Sequence, residues 1–162
     1  GNVLVHVEEE EQLRIFDALK QQTIQILDEP MEWQQAIHKA SEPLLHRAII
    51  KKSYVQAMID LLYDYGPYIV LANGVAIAHA NPEQGANALG LSLLINKQSI
   101  TFEDDANVHF LFVLSNPDQD KHLHLLRDIM RLANDTALVD QLLKMDDTLA
   151  VLEGLKKLSN MQ

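Results

Sequence analysis

The sequence predicts an α/β fold in which a sheet of short, buried strands is sandwiched between helical layers. Three observations point there. Segments with apolar residues three and four apart occupy both ends of the 162-residue chain. Short apolar runs rich in β-branched residues crowd the middle, between residues 68 and 114. The resulting order of helix, helix, several strands and then helices favours a sheet covered on both faces. At this length one domain with a single sizeable core is the expectation. Residues 1–12, GNVLVHVEEEEQ, read as a linker or the tail of a preceding domain, and residues 13–162 as the domain itself.

Each element has its own warrant. LRIFDALKQQ places apolar residues at 13, 15, 16 and 19, a short helical pattern, and TIQIL at 23–27 alternates as a strand does. Pro30 breaks the chain. From Glu32, EWQQAIHKASEPLLHRA carries Trp33, Ala36, Ile37, Ala40 and Leu44 on one helical face, with Pro43 expected to tighten or kink it. SYVQAMIDLLYDYG follows as a second helix, with Ser53 as a plausible N-cap and Gly66 as its stop before Pro67. The runs YIVLA, VAIAHA, LGLSLLI, SITF and VHFLFVL then read as buried strands. Between them NPEQGANA has the residues of an irregular turn, and NPDQD at 116–120 resembles the entry to a helix. DKHLHLLRDIMRLAN, TALVDQLLKM and DTLAVLEGLKKL close the chain as three helical segments.

Composition narrows the function classes. Thirteen basic residues against 23 acidic ones give a formal charge of −10, which repels phosphate backbones and argues against nucleic-acid binding by this segment. A basic protein partner is the natural expectation. No stretch approaches the ~20 apolar residues of a membrane span. With no cysteine there is no disulfide, thiolate metal site or cysteine nucleophile, which fits a cytoplasmic setting.

Seven histidines remain as the chemically interesting residues. His6, His38 and His46 fall in the linker or on helix surfaces, and His109 sits inside a strand, where an imidazole is usually structural. His122 and His124 are two apart on a helix, so their side chains diverge, and no ligand set of recognised spacing completes a metal site. His79 and His122 stand apart by position. One ends an apolar strand and the other opens a helix after another strand, and ligands in α/β sheets gather outside the carboxyl ends of strands. A neutral imidazole beside a second histidine can act as a nucleophile toward phosphorus while N–H donors hold the phosphoryl oxygens. From pattern alone, junction histidines are more often satisfied polar residues, so the residues by themselves leave both readings open.

A family resemblance carries more. GPYIVLANGVAIAHANPEQGA, residues 66–86, closely resembles the active-site segment of bacterial phosphotransferase-system enzyme IIA domains of the mannitol and fructose superfamily, nearest in look to the ascorbate-type branch. In that resemblance His79 takes the phosphohistidine position, ahead of a Pro82-Glu83-Gln84-Gly85 turn. A histidine-leucine-x-x-leucine motif with a later acidic residue matches His122, Leu123, Leu126 and Asp135, making His122 the partner histidine and His124 a bystander. EWQQAI and SYVQAMID also look like the family's N-terminal half, so the resemblance spans about residues 15–158. Two departures stand out: Ala78 replaces the usual proline before the histidine, and Tyr63, beside Asp64, occupies the place of an arginine found in mannitol-type members. The ascorbate-type branch lacks that arginine too.

The resemblance implies a mixed β-sheet of about five strands between helices, and a phosphohistidine carrier that needs no metal, nucleotide or organic cofactor. Phosphate stabilisation then rests on His122 and backbone amides, with the His122 ring within hydrogen-bond reach of His79 or of a phosphoryl group on it. The implied donor is the phosphocarrier protein HPr, and the acceptor a IIB domain or regulatory domains of the same or another chain. Domains of this type serve as transport components, which pass phosphate to a IIB cysteine, or close the C-terminal end of transcription regulators and antiterminators. The strand-like NVLVHV and the run Glu8–Glu11 favour the regulator, and a IIA fold that only binds partners is the third reading.

Overall fold

The computed structural model describes residues 13–118 and 122–160. The proposed linker, residues 1–12 with His6, therefore lies outside the described residues. The chain runs α1 (Ile15–Ala18), β1 (Leu19–Leu27), β2 (Met31–Glu32), α2 (Trp33–His46), α3 (Lys52–Tyr65), β3 (Val75–Ala78), β4 (Gly90–Thr101), β5 (Asn107–Ser115), α4 (Leu123–Asn134), α5 (Thr136–Leu143) and α6 (Thr148–Leu155). Five strands form one mixed sheet in the order β1-β4-β5-β3, with β2 also paired to β4. β1 and β2 run parallel to β4, β4 is antiparallel to β5, and β3 is parallel to β5. The sandwiched α/β sheet that the sequence predicts is thus the architecture observed.

Alternation along the strands builds two cores. Val75 and Ile77 of β3, Leu91, Leu93 and Ile95 of β4, and Phe110, Phe112 and Leu114 of β5 face α1, α4, α5 and α6. Ala76, Ala78, Leu94, Leu111 and Val113 face α2 and α3 instead. Both faces are dry, which is why these strands read as continuous apolar runs. Fully burying a side chain of the size of Phe110 or Phe112 contributes about 1.5–3 kcal/mol, so this central pair is a main anchor of the helices above it.

Several local expectations change. LGLSLLI and SITF are one strand, β4, whose register against β5 shifts between Ile95 and Ile100. YIVLA forms turns with a single bridge, Val70 to Ala76, because Asn73 takes a left-handed conformation and Gly74 a positive φ just before β3. The first helix is only Ile15–Ala18; β1 begins at Leu19 and bulges before Ile24, where the Thr23 hydroxyl donates to the Leu91 carbonyl (2.8 Å) and accepts the Lys20 N–H (3.1 Å). Pro43 does not break α2. Its ring removes the N–H that would bond the Lys39 carbonyl, and Gln25 Nε2 donates to that carbonyl instead, at 2.7 Å. Ser53 is not the cap of α3; Lys51 holds that position, and the Ser53 hydroxyl donates to the Gln84 carbonyl at 2.6 Å.

The last helices are tied to the start of the domain by one buried charge. Asp128, 1% exposed, accepts from Arg14 Nε and an Arg14 terminal nitrogen, both at 2.8 Å, and from the Ile15 N–H at 2.9 Å. This fork sits in the middle of α4 and pins α1 against it.

Candidate functional site

Parallel pairing of β3 with β5 brings their carboxyl ends side by side. Ala78 pairs with Val113, so His79 and Ala80 leave the sheet next to Leu114, Ser115 and Asn116. α4 starts just beyond, with His122 as its N-cap residue. The topology therefore gathers the two histidines singled out from the sequence at the mouth of one pocket of about 380 Å³, lined by Tyr54, His79, Ala80, Pro82, Leu114, Asn116 and His122. Among the described residues no lysine or arginine lines it.

Three devices hold the His79 segment. Tyr54, 1% exposed, sends its hydroxyl between the strand ends, accepting the Ala80 N–H at 3.0 Å and donating to the Leu114 carbonyl at 2.7 Å. Asn81 Oδ1 accepts the Glu83 N–H at 2.9 Å and starts the turn Pro82–Gln84. Gly85 then closes the turn at φ 130°, its carbonyl accepting the Lys51 N–H at 2.9 Å. A Cβ at Gly85 would come within 2.9 Å of the Ser53 hydroxyl, so the position requires glycine both for conformation and for space. Ala78 is buried in the fourth β3–β5 pair and faces α2 and α3.

His79 keeps an exposed edge, yet the protein around its ring matters: desolvation pushes its pKa below the ordinary value of 6.5, and electrostatic repulsion from the neighbouring His122 pushes the same way. Near neutral pH the ring is therefore unprotonated and carries a free lone pair, the form a nucleophile needs. His122 is half-buried and its Nδ1 lies 3.3 Å from Asn116 Nδ2. The two imidazoles both line the pocket.

The other histidines fall elsewhere. His38 and His46 are exposed on α2. His109 bonds through Nδ1 to the Asn96 carbonyl at 2.9 Å, a structural contact within the sheet. His124 is on α4 but does not line the pocket. Among the described residues no three metal-ligating side chains converge. Tyr63 packs edge-on against Trp33 at 5.0 Å between ring centres and does not line the pocket. Two pocket residues escaped sequence reasoning. Tyr54 looked like one more apolar residue of a helix face, and Asn116 like an ordinary helix-entry residue; only the pairing of β3 with β5 shows what they touch.

Comparison with known proteins agrees with this geometry. Residues 17–158 match the family described as phosphoenolpyruvate-dependent sugar phosphotransferase system, EIIA 2. The chain is 33% identical over 132 residues to the mannitol-specific cryptic phosphotransferase enzyme IIA component of Escherichia coli K12, covering 81% of this chain and 90% of that protein. It is 30% identical over 134 residues to the ascorbate-specific PTS system EIIA component of Salmonella choleraesuis, covering 80% and 87%. The solution structure of the E. coli mannitol-specific cryptic enzyme IIA superimposes with a TM-score of 0.77 at 29% identity, over 90% of this chain and 99% of that one. A match that runs from α1 to the end of α6, on a fold of the same topology, places the chain in the EIIA 2 family of the sugar phosphotransferase system, as a IIA phosphocarrier domain.

Proposed function

We propose that His79 is the residue that carries the phosphoryl group, taking it from the phosphocarrier protein HPr, with His122 as the partner that steadies the phosphoryl oxygens. The observation that carries this reading is the pocket itself: a neutral-poised imidazole at a strand end, one edge open, facing a second imidazole at a helix start. In the transfer the lone pair of a His79 ring nitrogen forms a bond to phosphorus while the bond from phosphorus to the donor breaks, its electron pair leaving with the donor. Charge on the phosphoryl oxygens then meets the His122 ring and the first-turn amides of α4, where the helix dipole favours an anion. The reading does not depend on a lysine or arginine among the described lining residues, because the oxygens also stay open to water.

A protein partner must reach the open edge of His79. Beside it lies a shallow groove lined by Asp60 and Asp64 that shares Ala80 with the pocket, matching the acidic balance of the whole chain. Such a surface suits a donor with a basic face, with the charges mainly speeding encounter. The onward acceptor in this reading is a IIB cysteine or a regulatory domain. The strand-like NVLVHV followed by Glu8–Glu11 supports service as the C-terminal IIA-like domain of a transcription regulator or antiterminator; the reading frame upstream of residue 1 decides between that and a free-standing component.

The test is phosphorylation from phosphoenolpyruvate through enzyme I and HPr, followed by mass spectrometry. One acid-labile, base-stable phosphoryl group at His79 is expected, absent from His79→Ala. Label that persists in the variant, or that appears with none of several HPr proteins, removes the carrier role from His79 and leaves a fold that only binds partners.

A further inference from the structure

The pocket holds one polar side chain to which the carrier reading gives no role. Asn116 follows β5 and is 9% exposed. Its position is fixed from several sides: the Leu114 carbonyl takes the Tyr54 hydroxyl, the Ser115 hydroxyl donates to the Ala88 carbonyl at 2.7 Å, and Asn116 Oδ1 accepts the Asp118 N–H at 3.0 Å. That last contact decides which end of the amide is which, because a backbone N–H can only donate. Asn116 Nδ2, which also can only donate, is thereby turned toward His122 Nδ1 at 3.3 Å. His122 Nδ1 must then accept, and in the neutral ring the proton resides on Nε2.

We propose that Asn116 is a positioning residue: it holds neutral His122 as the Nε2–H tautomer, so that the ring offers the pocket a donor where the other tautomer would offer a lone pair. The consequence for phosphoryl transfer rests on the carrier reading of His79, whereas the tautomer is a property of the resting protein. For an anion the difference is large in kind. An Nε2–H directed at a phosphoryl oxygen stabilises the charge that shifts onto it during transfer, and a lone pair in the same place repels it.

Two measurements test this. In protein labelled with 15N-histidine at about pH 9, where imidazoles are neutral, two-bond 1H–15N spectra report which ring nitrogen of His122 bears the proton. The wild type is expected to show Nε2–H alone. Asn116→Ala should admit a mixture, and Asn116→Asp, which can only accept, should move the proton to Nδ1. Phosphoryl transfer from HPr should fall by about 10-fold or more in Asn116→Asp, on the order of the loss of one oriented donor. In a His122→Ala background the same substitution should then cost little further, since its effect passes through the ring. A wild-type His122 found as Nδ1–H or as a mixture overturns the proposal, as does an Asn116→Asp defect that persists undiminished without His122. If the wild type takes no phosphate at all, the carrier reading fails, and the spectra still decide the tautomer.

Discussion

Tyr54→Phe removes one oxygen and nothing else, yet it should loosen both strand ends that frame the pocket. The ring is 1% exposed and stays packed among residues of α2, α3 and the sheet, so apolar burial is unchanged. What disappears is the acceptor for the Ala80 N–H at 3.0 Å and the donor to the Leu114 carbonyl at 2.7 Å. Each bond has a net worth of about 1 kcal/mol, and a buried polar group left without a partner costs about 1–3 kcal/mol. Water entering from the adjoining pocket relieves part of that cost, so about 2 kcal/mol is the working figure. For a domain of this size that corresponds to a fall in Tm of about 4–8 °C. Urea unfolding of wild type and variant measures it directly. Phosphorylation by HPr should slow as well, because Ala80 is the residue that anchors His79 as the chain leaves β3. A variant within about 0.5 kcal/mol of wild type and phosphorylated at the same rate would refute the claim that this hydroxyl braces the site.

Two further outcomes follow from the same geometry. His122→Ala should slow phosphoryl transfer about 10–1000-fold while HPr binding and fold persist, and His124→Ala, outside the pocket, should do much less; equal defects in single-turnover transfer would show that the partner histidine is misassigned. The pH dependence has a definite sign. Since the folded-state pKa of His79 is lowered, by desolvation first and by His122 second, the acid limb of the phosphorylation rate should have its midpoint below 6.5, and a midpoint at or above that value contradicts the assignment. The linked stability is intact above about 6.5 and declines as pH falls through that value, because the unfolded chain takes a proton that the folded ring resists; the decline levels off below the folded pKa. Urea unfolding from about pH 7.5 to 5 should therefore show a shallower loss in His79→Gln than in wild type.

Much of the fold was legible because both sheet faces are covered. A strand buried on two sides must be apolar throughout, so VAIAHA, LGLSLLI and VHFLFVL announce themselves as β3, β4 and β5 without needing alternation. The same property hid where strands end. Nothing in composition separates YIVLA from a true strand, and what stops it is backbone geometry at Asn73 and Gly74, whose positive φ angles belong to a tight turn. Conversely the polar NKQ between LGLSLLI and SITF looked like a boundary, although Lys97 there reaches the Leu143 and Met145 carbonyls at the end of α5 and the strand continues. Polar residues in a strand mark an end only when their partners are solvent. Which partners they have is a long-range fact.

The site divides along the same line. His79 and His122 were legible because each stands where a strand or helix terminates, and termini can be read locally. Tyr54 and Asn116 act through contacts that span 26 and 60 residues in one case and depend on the side-chain orientation of a neighbour in the other, so no window of sequence contains them. Under the proposed carrier role, their chemistry accounts for a pocket with no lysine or arginine among its described lining residues. A carrier has to give the phosphoryl group away as well as take it, so a guanidinium that bound the phosphorylated state tightly would help the first step and oppose the second. On the proposed reading, a neutral N–H donor aimed by Asn116, set opposite a ring whose position Tyr54 steadies, would stabilise the oxygens in both directions of transfer without holding the product fast.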